Sequence, residues 1–243
     1  MNIKRYFYSF WQKIVEMKYG TIARKDSAVF MFHQVTNDKN KWKDTNCAIT
    51  LTNFEKFIGS IEQLDIAFGS IEELQNSIQE RRAYITFDDI YADAVDNAFP
   101  LLIEKKIPFC VFISTNLIDR EGYVSTKQLK KLETEELCTI GFHTNSHLIL
   151  RTLKKDLALN EIKKDKFEKK LNRSIEYFAY PFGSYYAVSM KNRRMVRAEK
   201  YKVAFSTLKM PLNEKIRKKF NDFIPRININ NNNYESILQK IKR

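Results

Sequence analysis

The sequence predicts an α/β fold, a single distorted (β/α) barrel of about seven strands. Short apolar, β-branched or aromatic runs alternate with longer segments whose apolar residues recur at helical spacing, the succession that right-handed crossovers fold into a parallel sheet. Neither an internal repeat nor a linker-like stretch divides the 243 residues, a length that α/β barrels commonly use as one unit. Polar residues capable of chemistry stand directly after several of the apolar runs, the end where such barrels place their sites.

In chain order, residues 28–33 are the first strand, apolar until His33. Residues 36–48 are polar and charged and read as a loop, and 48–51 as a short strand. Thr52 or Asn53 then caps a helix carrying Phe54, Phe57, Ile58, Ile61 and Leu64 on one face. Ser70 with Glu73 has the form of a capping box and opens a second helix over about 71–80. Residues 83–89 are the central strand, which ends in the adjacent carboxylates Asp88 and Asp89. The spacing predicts a helix over 90–106, with Ala94, Val95, Ala98, Leu101 and Leu102 inward and Pro100 inside it. Residues 108–113 are almost wholly apolar, as parallel strands buried on both faces are. A helix over 125–137 leads to the strand 138–142, which delivers His143. A long charged helix is predicted over 153–172, with Leu153, Leu157, Ile162 and Leu171 facing in. Residues 175–180, 203–206 and 224–229 supply later strands, a helix over 188–199 falls between the first two, and the last helix starts near Asn233 after an asparagine-rich turn.

An apolar share of 44% with few glycines and prolines marks a globular chain. A net charge of +13 and a pI near 9.5 speak of partners: nucleic acid, an anionic membrane surface, or a phosphate-bearing substrate. Nucleic acid is not expected, because no zinc-finger spacing, aromatic RNA-binding signature or helix-turn-helix pattern is legible. Cys47, Cys110 and Cys138 are scattered and odd in number, so no disulfide framework is expected and a reducing, cytoplasmic compartment is the simpler inference. Residues 1–27 form a basic, aromatic-rich segment ahead of the barrel domain at 28–243. Gln12, Lys13 and Glu16 break its apolar run, so it is no secretory signal; it reads as a helix that packs outside the barrel or lies on the inner membrane face.

Two like charges side by side at a strand end repel and call for a cation or a turn. Of the three histidines, His143 and His147 lie four residues apart, close enough for one helical turn or a tight loop to aim both rings at one point. One aspartate and these two imidazoles make a three-ligand set with coordination positions open for water.

The segments that carry this chemistry resemble those of a known family. Thr86-Phe87-Asp88-Asp89 and His143-Thr144-Asn145-Ser146-His147 are similar to the first two motifs of the polysaccharide deacetylases, carbohydrate esterase family 4. In the same order, 29–35 resembles the opening strand and histidine of one branch, 178–183 the third motif and 224–227 the closing strand. The resemblance implies a deacetylase-like barrel and a metal-dependent hydrolase that removes an N-acetyl group from an amino sugar, in a polysaccharide or in a lipid- or nucleotide-linked precursor of surface glycans. It implies Asp89, His143 and His147 as metal ligands and Asp88 as the base that takes the proton of water. Zinc is the default ion, and cobalt, nickel or iron would satisfy the same ligands. Pro181, Phe182, Gly183 and Tyr185 are the candidates for lining the substrate groove and donating to the oxyanion. The late Leu-x-His motif of many relatives is missing, and His33 is expected to protonate the leaving amine in its place. The arginine that usually precedes the third motif's proline is replaced by Ala179 and Tyr180, so Arg226 is the candidate to pair with Asp88 and hold it ionised. Two other readings remain open: a carbohydrate-binding relative that has lost catalysis, and a non-haem Fe(II) oxygenase, which also uses two histidines and a carboxylate.

Overall fold

A computed structural model describes residues 3–20, 22, 26–78 and 81–242. The chain opens with helix α1 (Ile3–Tyr19), followed by β1 (Ala28–Phe32), β2 (Gln34–Val35), β3 (Ala48–Ile49), α2 (Leu51–Gln63), β4 (Ala67–Gly69) and β5 (Arg82–Asp88). Next come α3 (Ala92–Glu104), β6 (Phe109–Ile113), α4 (Thr126–Glu133), β7 (Cys138–Phe142), α5 (Lys155–Ile162), α6 (Asp165–Leu171) and β8 (Tyr177–Ala179). The rest is α7 (Met190–Ala198), β9 (Val203–Phe205), α8 (Glu214–Lys219), β10 (Ile227–Asn228) and α9 (Tyr234–Lys242).

The main sheet is parallel and runs β10-β1-β5-β6-β7-β8-β9, with β4 paired to β5 off that path. A bridge between Phe205 and Ile224 joins β9 to the segment entering β10, so the sheet curls round into the predicted distorted barrel of seven strands. This order has a consequence for the site. Because β10, β1 and β5 are neighbours, Arg226 at the entry of β10 and His33 and Asp88 at the ends of β1 and β5 belong to adjacent strands despite their separation in sequence.

The core follows from periodicity. On α2, Phe54, Phe57, Ile58 and Ile61 have no exposed surface; burial of side chains of this size stabilises by roughly 1.5–3 kcal/mol each. Their rings meet those of the sheet edge-on: Phe32 lies 5.0 Å from Phe54, and Phe30 5.0 Å from Phe57. Phe87 continues the cluster to Phe99 of α3 at 4.8 Å, which anchors the strand that carries the carboxylate pair.

Several local expectations are corrected. The cap of α2 is Thr50, whose hydroxyl accepts from the Asn53 amide, because the strand before it ends at Ile49 and leaves Thr50 as the last extended residue before the helix. That strand, β3, pairs with β2 in a separate two-stranded sheet and does not join the barrel. The Ser70–Glu73 capping box is present, but it opens a 3₁₀ turn, Ile71–Gln75, that stops at Asn76; residues 79 and 80 of the expected helix lie outside those described. Ile90 does not begin a helix. It sits at φ +47° in a tight turn, and α3 starts two residues later.

The long helix over 153–172 is two helices, α5 and α6, with Lys163 extended between them. The break lies where α5 turns its last carbonyls outward: the Asn145 amide donates to the Glu161 carbonyl, and its side chain to the Asn160 carbonyl. Tertiary hydrogen bonds to the histidine loop have displaced the helical ones; of the residues expected to face in, Ile162 and Leu171 are buried, while Leu157 is exposed and Ala158 takes the inner position beside it. β4 and α8 were not legible, β4 being only three residues long and α8 short and lysine-rich.

Candidate metal and catalytic centre

Each predicted ligand leaves the C-terminal end of a strand. Asp88 closes β5 and Asp89 follows it at φ +63°; His143 follows β7, and the loop after it turns through Thr144 at φ +67° to His147 at φ +55°. Left-handed backbone at residues other than glycine costs about 1–3 kcal/mol each and persists only where neighbours impose it. Here they do. The Ile90 amide donates to the Asp88 carbonyl at 2.7 Å, the Val124 amide to the Ile90 carbonyl, and the His147 amide to the Thr144 hydroxyl. Glu161, 5% exposed, accepts from the Ser146 amide at 2.8 Å through its carboxylate while its carbonyl holds Asn145. The split helix is therefore what fixes the histidine loop.

The geometry gathers Asp89, His143 and His147 so that one ligand atom of each lies within 4.8 Å of the others. Asp89 Oδ1 stands 3.6 Å from His143 Nε2 and 3.2 Å from His147 Nε2. His143 Nδ1–H donates to the Ala179 carbonyl at 2.8 Å, which leaves the Nε2 lone pair facing the aspartate. Asp89 Oδ1 is itself buried with no hydrogen-bond partner among the described residues. An orphaned carboxylate oxygen opposed by an imidazole lone pair is unfavourable without a positive charge between them. The donor set, two nitrogens and a carboxylate, fits a divalent cation with open positions.

Burial sets the protonation of these groups. It pushes the Asp89 carboxyl up to about 6 and brings His143 down to about 3, and it lowers His147 as well. Asp88 goes the other way. Burial alone would raise it, but the Arg226 guanidinium wins and holds it well below the usual carboxylate range. Arg226 is fully buried and bidentate: Nη1 donates to Asp88 Oδ1 at 2.7 Å and Nη2 to Oδ2 at 2.6 Å. Its Nε–H donates to the Ser206 carbonyl, and the guanidinium lies over the Phe112 and Phe205 rings at 5.3 and 5.7 Å. Gly141 lets β7 approach this stack, since a Cβ there would come within 2.5 Å of the Phe112 ring.

His33 lies at the end of β1, 9% exposed, with Nδ1 buried and without a partner among the described residues. Burial lowers its pKa, and the fields of Asp88 and Asp89 oppose that shift. Past β8, Pro181 is buried and Phe182 half-exposed, its ring 4.8 Å from that of His147. Phe182 at φ +59° and Gly183 at φ +42° are pinned by the Thr207 hydroxyl on the Phe182 carbonyl and the Thr207 amide on the Gly183 carbonyl. The amides of Phe182 and Gly183 have no acceptor among the described residues. Tyr185 differs: its amide donates to Gln12 Oε1 of α1, and its ring stacks on Phe223 at 5.7 Å. Of the expected oxyanion segment, Phe182 and Gly183 keep free donors.

Sequence reasoning missed Glu161, Thr207, Gln12 and Arg151, whose Nη2 donates to the carbonyls of Tyr185 and Val188. Their roles are contacts to loops distant in sequence, and no local pattern marks them.

The family model for polysaccharide deacetylases matches residues 75–201, more than half of the chain; the stretch contains the aspartate pair, both loop histidines and 181–183 but neither His33 nor Arg226. The poly-β-1,6-N-acetyl-D-glucosamine N-deacetylase of Staphylococcus aureus is 25% identical over 217 residues, covering 80% of this chain and 72% of that protein. The Staphylococcus epidermidis enzyme of the same name is 25% identical over 188 residues, covering 69% and 64%. Among solved structures, the Streptococcus pyogenes deacetylase PplD in complex with acetate superposes with a TM-score of 0.76 at 20% identity, covering 92% of this chain and 100% of that one. IcaB from Ammonifex degensii gives 0.77 at 19%, with the same coverage. These two share the barrel. With the motif-bearing half of the chain matched and its motif residues converging on one point, this chain belongs to the polysaccharide deacetylase family of enzymes.

Proposed function

We propose that the chain hydrolyses the N-acetyl group of an amino sugar in a glycan or glycan precursor, releasing acetate and leaving a free amine. The observation that carries this reading is the convergence of Asp89, His143 and His147 beside an aspartate locked to a buried arginine. A divalent ion held by the three ligands, zinc in this proposal, supplies a Lewis acid that acidifies water and polarises the acetyl carbonyl.

The chain's own groups do the rest. Asp88 Oδ2 faces the ligand set, 3.7 Å from His143 Nε2, and keeps a lone pair beyond the one that Arg226 uses, so it can accept the proton of the attacking water. The amides of Phe182 and Gly183 are the oxyanion donors in this reading. As the new C–O bond forms and the C–N bond breaks, the departing nitrogen needs a proton, and His33 is assigned to deliver it. The test is acetate release from acetylated amino sugars presented as β-1,6-linked oligomer, free sugar, nucleotide-linked and lipid-linked forms, with and without chelator. Chelator-sensitive release is expected; silence in every arm with metal-loaded protein overturns the reading.

The outer face of α1 exposes Tyr6, Phe7, Phe10, Trp11, Ile14 and Met17, and Lys4 and Lys18 are exposed on the same helix. No helix among the described residues is long and apolar enough to cross a membrane. We infer that this face rests on an anionic lipid surface, the cytoplasmic one if the three free cysteines reflect a reducing compartment. Cosedimentation with anionic vesicles should weaken with salt and with deletion of residues 1–20, and insensitivity to both would exclude it.

A further inference from the structure

A groove of about 490 Å³ runs between α1 and the loop after β8. Its lining includes the apolar and aromatic Ile149, Phe182 and Tyr186 and the cationic Arg5, Lys13 and Lys209. Phe182 belongs to both places: one side of its ring faces His147 at 4.8 Å and the side chain also walls the groove. Ile149 follows His147 by two residues, so the groove begins one aromatic ring away from the candidate metal ligands.

The charge there is unbalanced. Among the described lining residues the single carboxylate, Glu16, is committed through Oε1, which accepts from the Lys209 amide at 2.9 Å and from Gln12 Nε2 at 2.9 Å. Arg5 lies over the Tyr186 ring with its guanidinium carbon 6.0 Å from the centroid. Among the described residues neither the Lys13 nor the Lys209 ammonium is in an ion pair, and neither is Arg5. Three cations from two separate segments therefore line, together with aromatic and aliphatic side chains, a cavity large enough for a small ligand.

We propose that this groove is a subsite for a phosphate or diphosphate attached to the amino sugar, with the sugar's apolar face on Phe182 and Tyr186 and the phosphate oxygens on Arg5, Lys13 and Lys209. The inference rests on the deacetylase reading and names its substrate class as a glycosyl phosphate. Lysines recognise phosphate as point charges and arginine as a planar fork, and three of them lining one groove suit a multivalent oxyanion. The same α1 that lends Arg5 and Lys13 to the groove turns its aromatic face outward, so a phosphate carried at a lipid boundary would meet the groove first.

The experiment compares four N-acetylglucosaminides as substrates: a neutral methyl glycoside, the sugar 1-phosphate, a nucleotide diphosphosugar and a lipid diphosphosugar. A KM at least about tenfold lower for phosphorylated arms is expected, the effect of one charge-assisted hydrogen bond. The ratio of neutral to phosphorylated KM should collapse towards one in Arg5→Ala/Lys13→Ala/Lys209→Ala. Which phosphorylated arm leads identifies the carrier. Equal KM values across the arms, or a ratio that survives in the variant, overturn the proposal and leave the deacetylase intact. If no arm releases acetate, the deacetylase reading fails, and titration of pyrophosphate into chelator-treated protein decides the groove alone. Salt-sensitive binding lost in the variant supports it; no binding by the parent protein, or equal binding by both, overturns it.

Discussion

Replacing Arg226 with methionine probes the pair on which the proposed base depends. The Arg226 and Asp88 side chains are 0% and 4% exposed and joined by two hydrogen bonds of 2.7 and 2.6 Å. Removing one partner of a buried pair leaves an uncompensated charge and costs about 3–5 kcal/mol. For a chain of this size about 2–4 °C is lost per kcal/mol, so Tm should fall by about 6–20 °C. The sign of the pH effect follows from the depressed pKa of Asp88: the pair's contribution is present above the carboxyl's unfolded value and is lost as pH falls through the folded one. Without Arg226, burial dominates and lifts Asp88, so the variant should bind a proton that the parent does not, and the acid limb of kcat/KM should move up by more than about one pH unit. Thermal melts and a pH–rate profile of acetate release read both effects. Adding Asp88→Asn to Arg226→Met should restore part of the Tm, because no buried charge is then left alone. An Arg226→Met protein that melts within about 2 °C of the parent with an unmoved acid limb would refute the reasoning.

Other consequences of the geometry are also measurable. Asp89→Ala or His147→Ala should abolish stoichiometric metal by elemental analysis and lower kcat/KM by orders of magnitude; full metal content in either variant removes that residue from the ligand set. Metal affinity should fall about tenfold per pH unit below about 6, because Asp89 holds a proton there that the cation must displace, and an affinity flat from pH 7 to 4 counts against it. His33→Ala should cut turnover by orders of magnitude while metal content stays whole, and near-normal turnover takes His33 out of the mechanism. In Gly183→Ala the new Cβ would meet the Thr207 amide nitrogen at 2.6 Å and the Ser206 carbonyl carbon at 2.9 Å, both backbone, at φ +42°. The loop that carries the Phe182 amide must shift, and kcat should drop more than about tenfold with a modest change in Tm, about 1–3 kcal/mol of strain; unaltered kcat would mean that the loop's placement is unimportant.

The sequence by itself determined most of the succession of strands and helices, the apolar faces of α2 and α3, and the position of each candidate ligand just past a strand. These are local properties: period and polarity are written within a dozen residues, and Asp88-Asp89 or His143-x-x-x-His147 can be read without a partner in view. Tertiary structure decided which distant groups those residues meet. Arg226 and Asp88 are 138 positions apart and touch because β10 and β5 flank β1. The segment predicted as one long helix breaks because Glu161 and Asn160 serve the histidine loop, and Tyr185 is diverted because Gln12 of α1 takes its amide. The left-handed turns at Asp89 and His147, which aim the candidate ligands, are held against the residues' own preference by bonds within each turn and by the contacts of Val124 and Glu161 from neighbouring segments. A contact of this kind is fixed by the order in which strands close the barrel, and no stretch of sequence short enough to show a period contains that order.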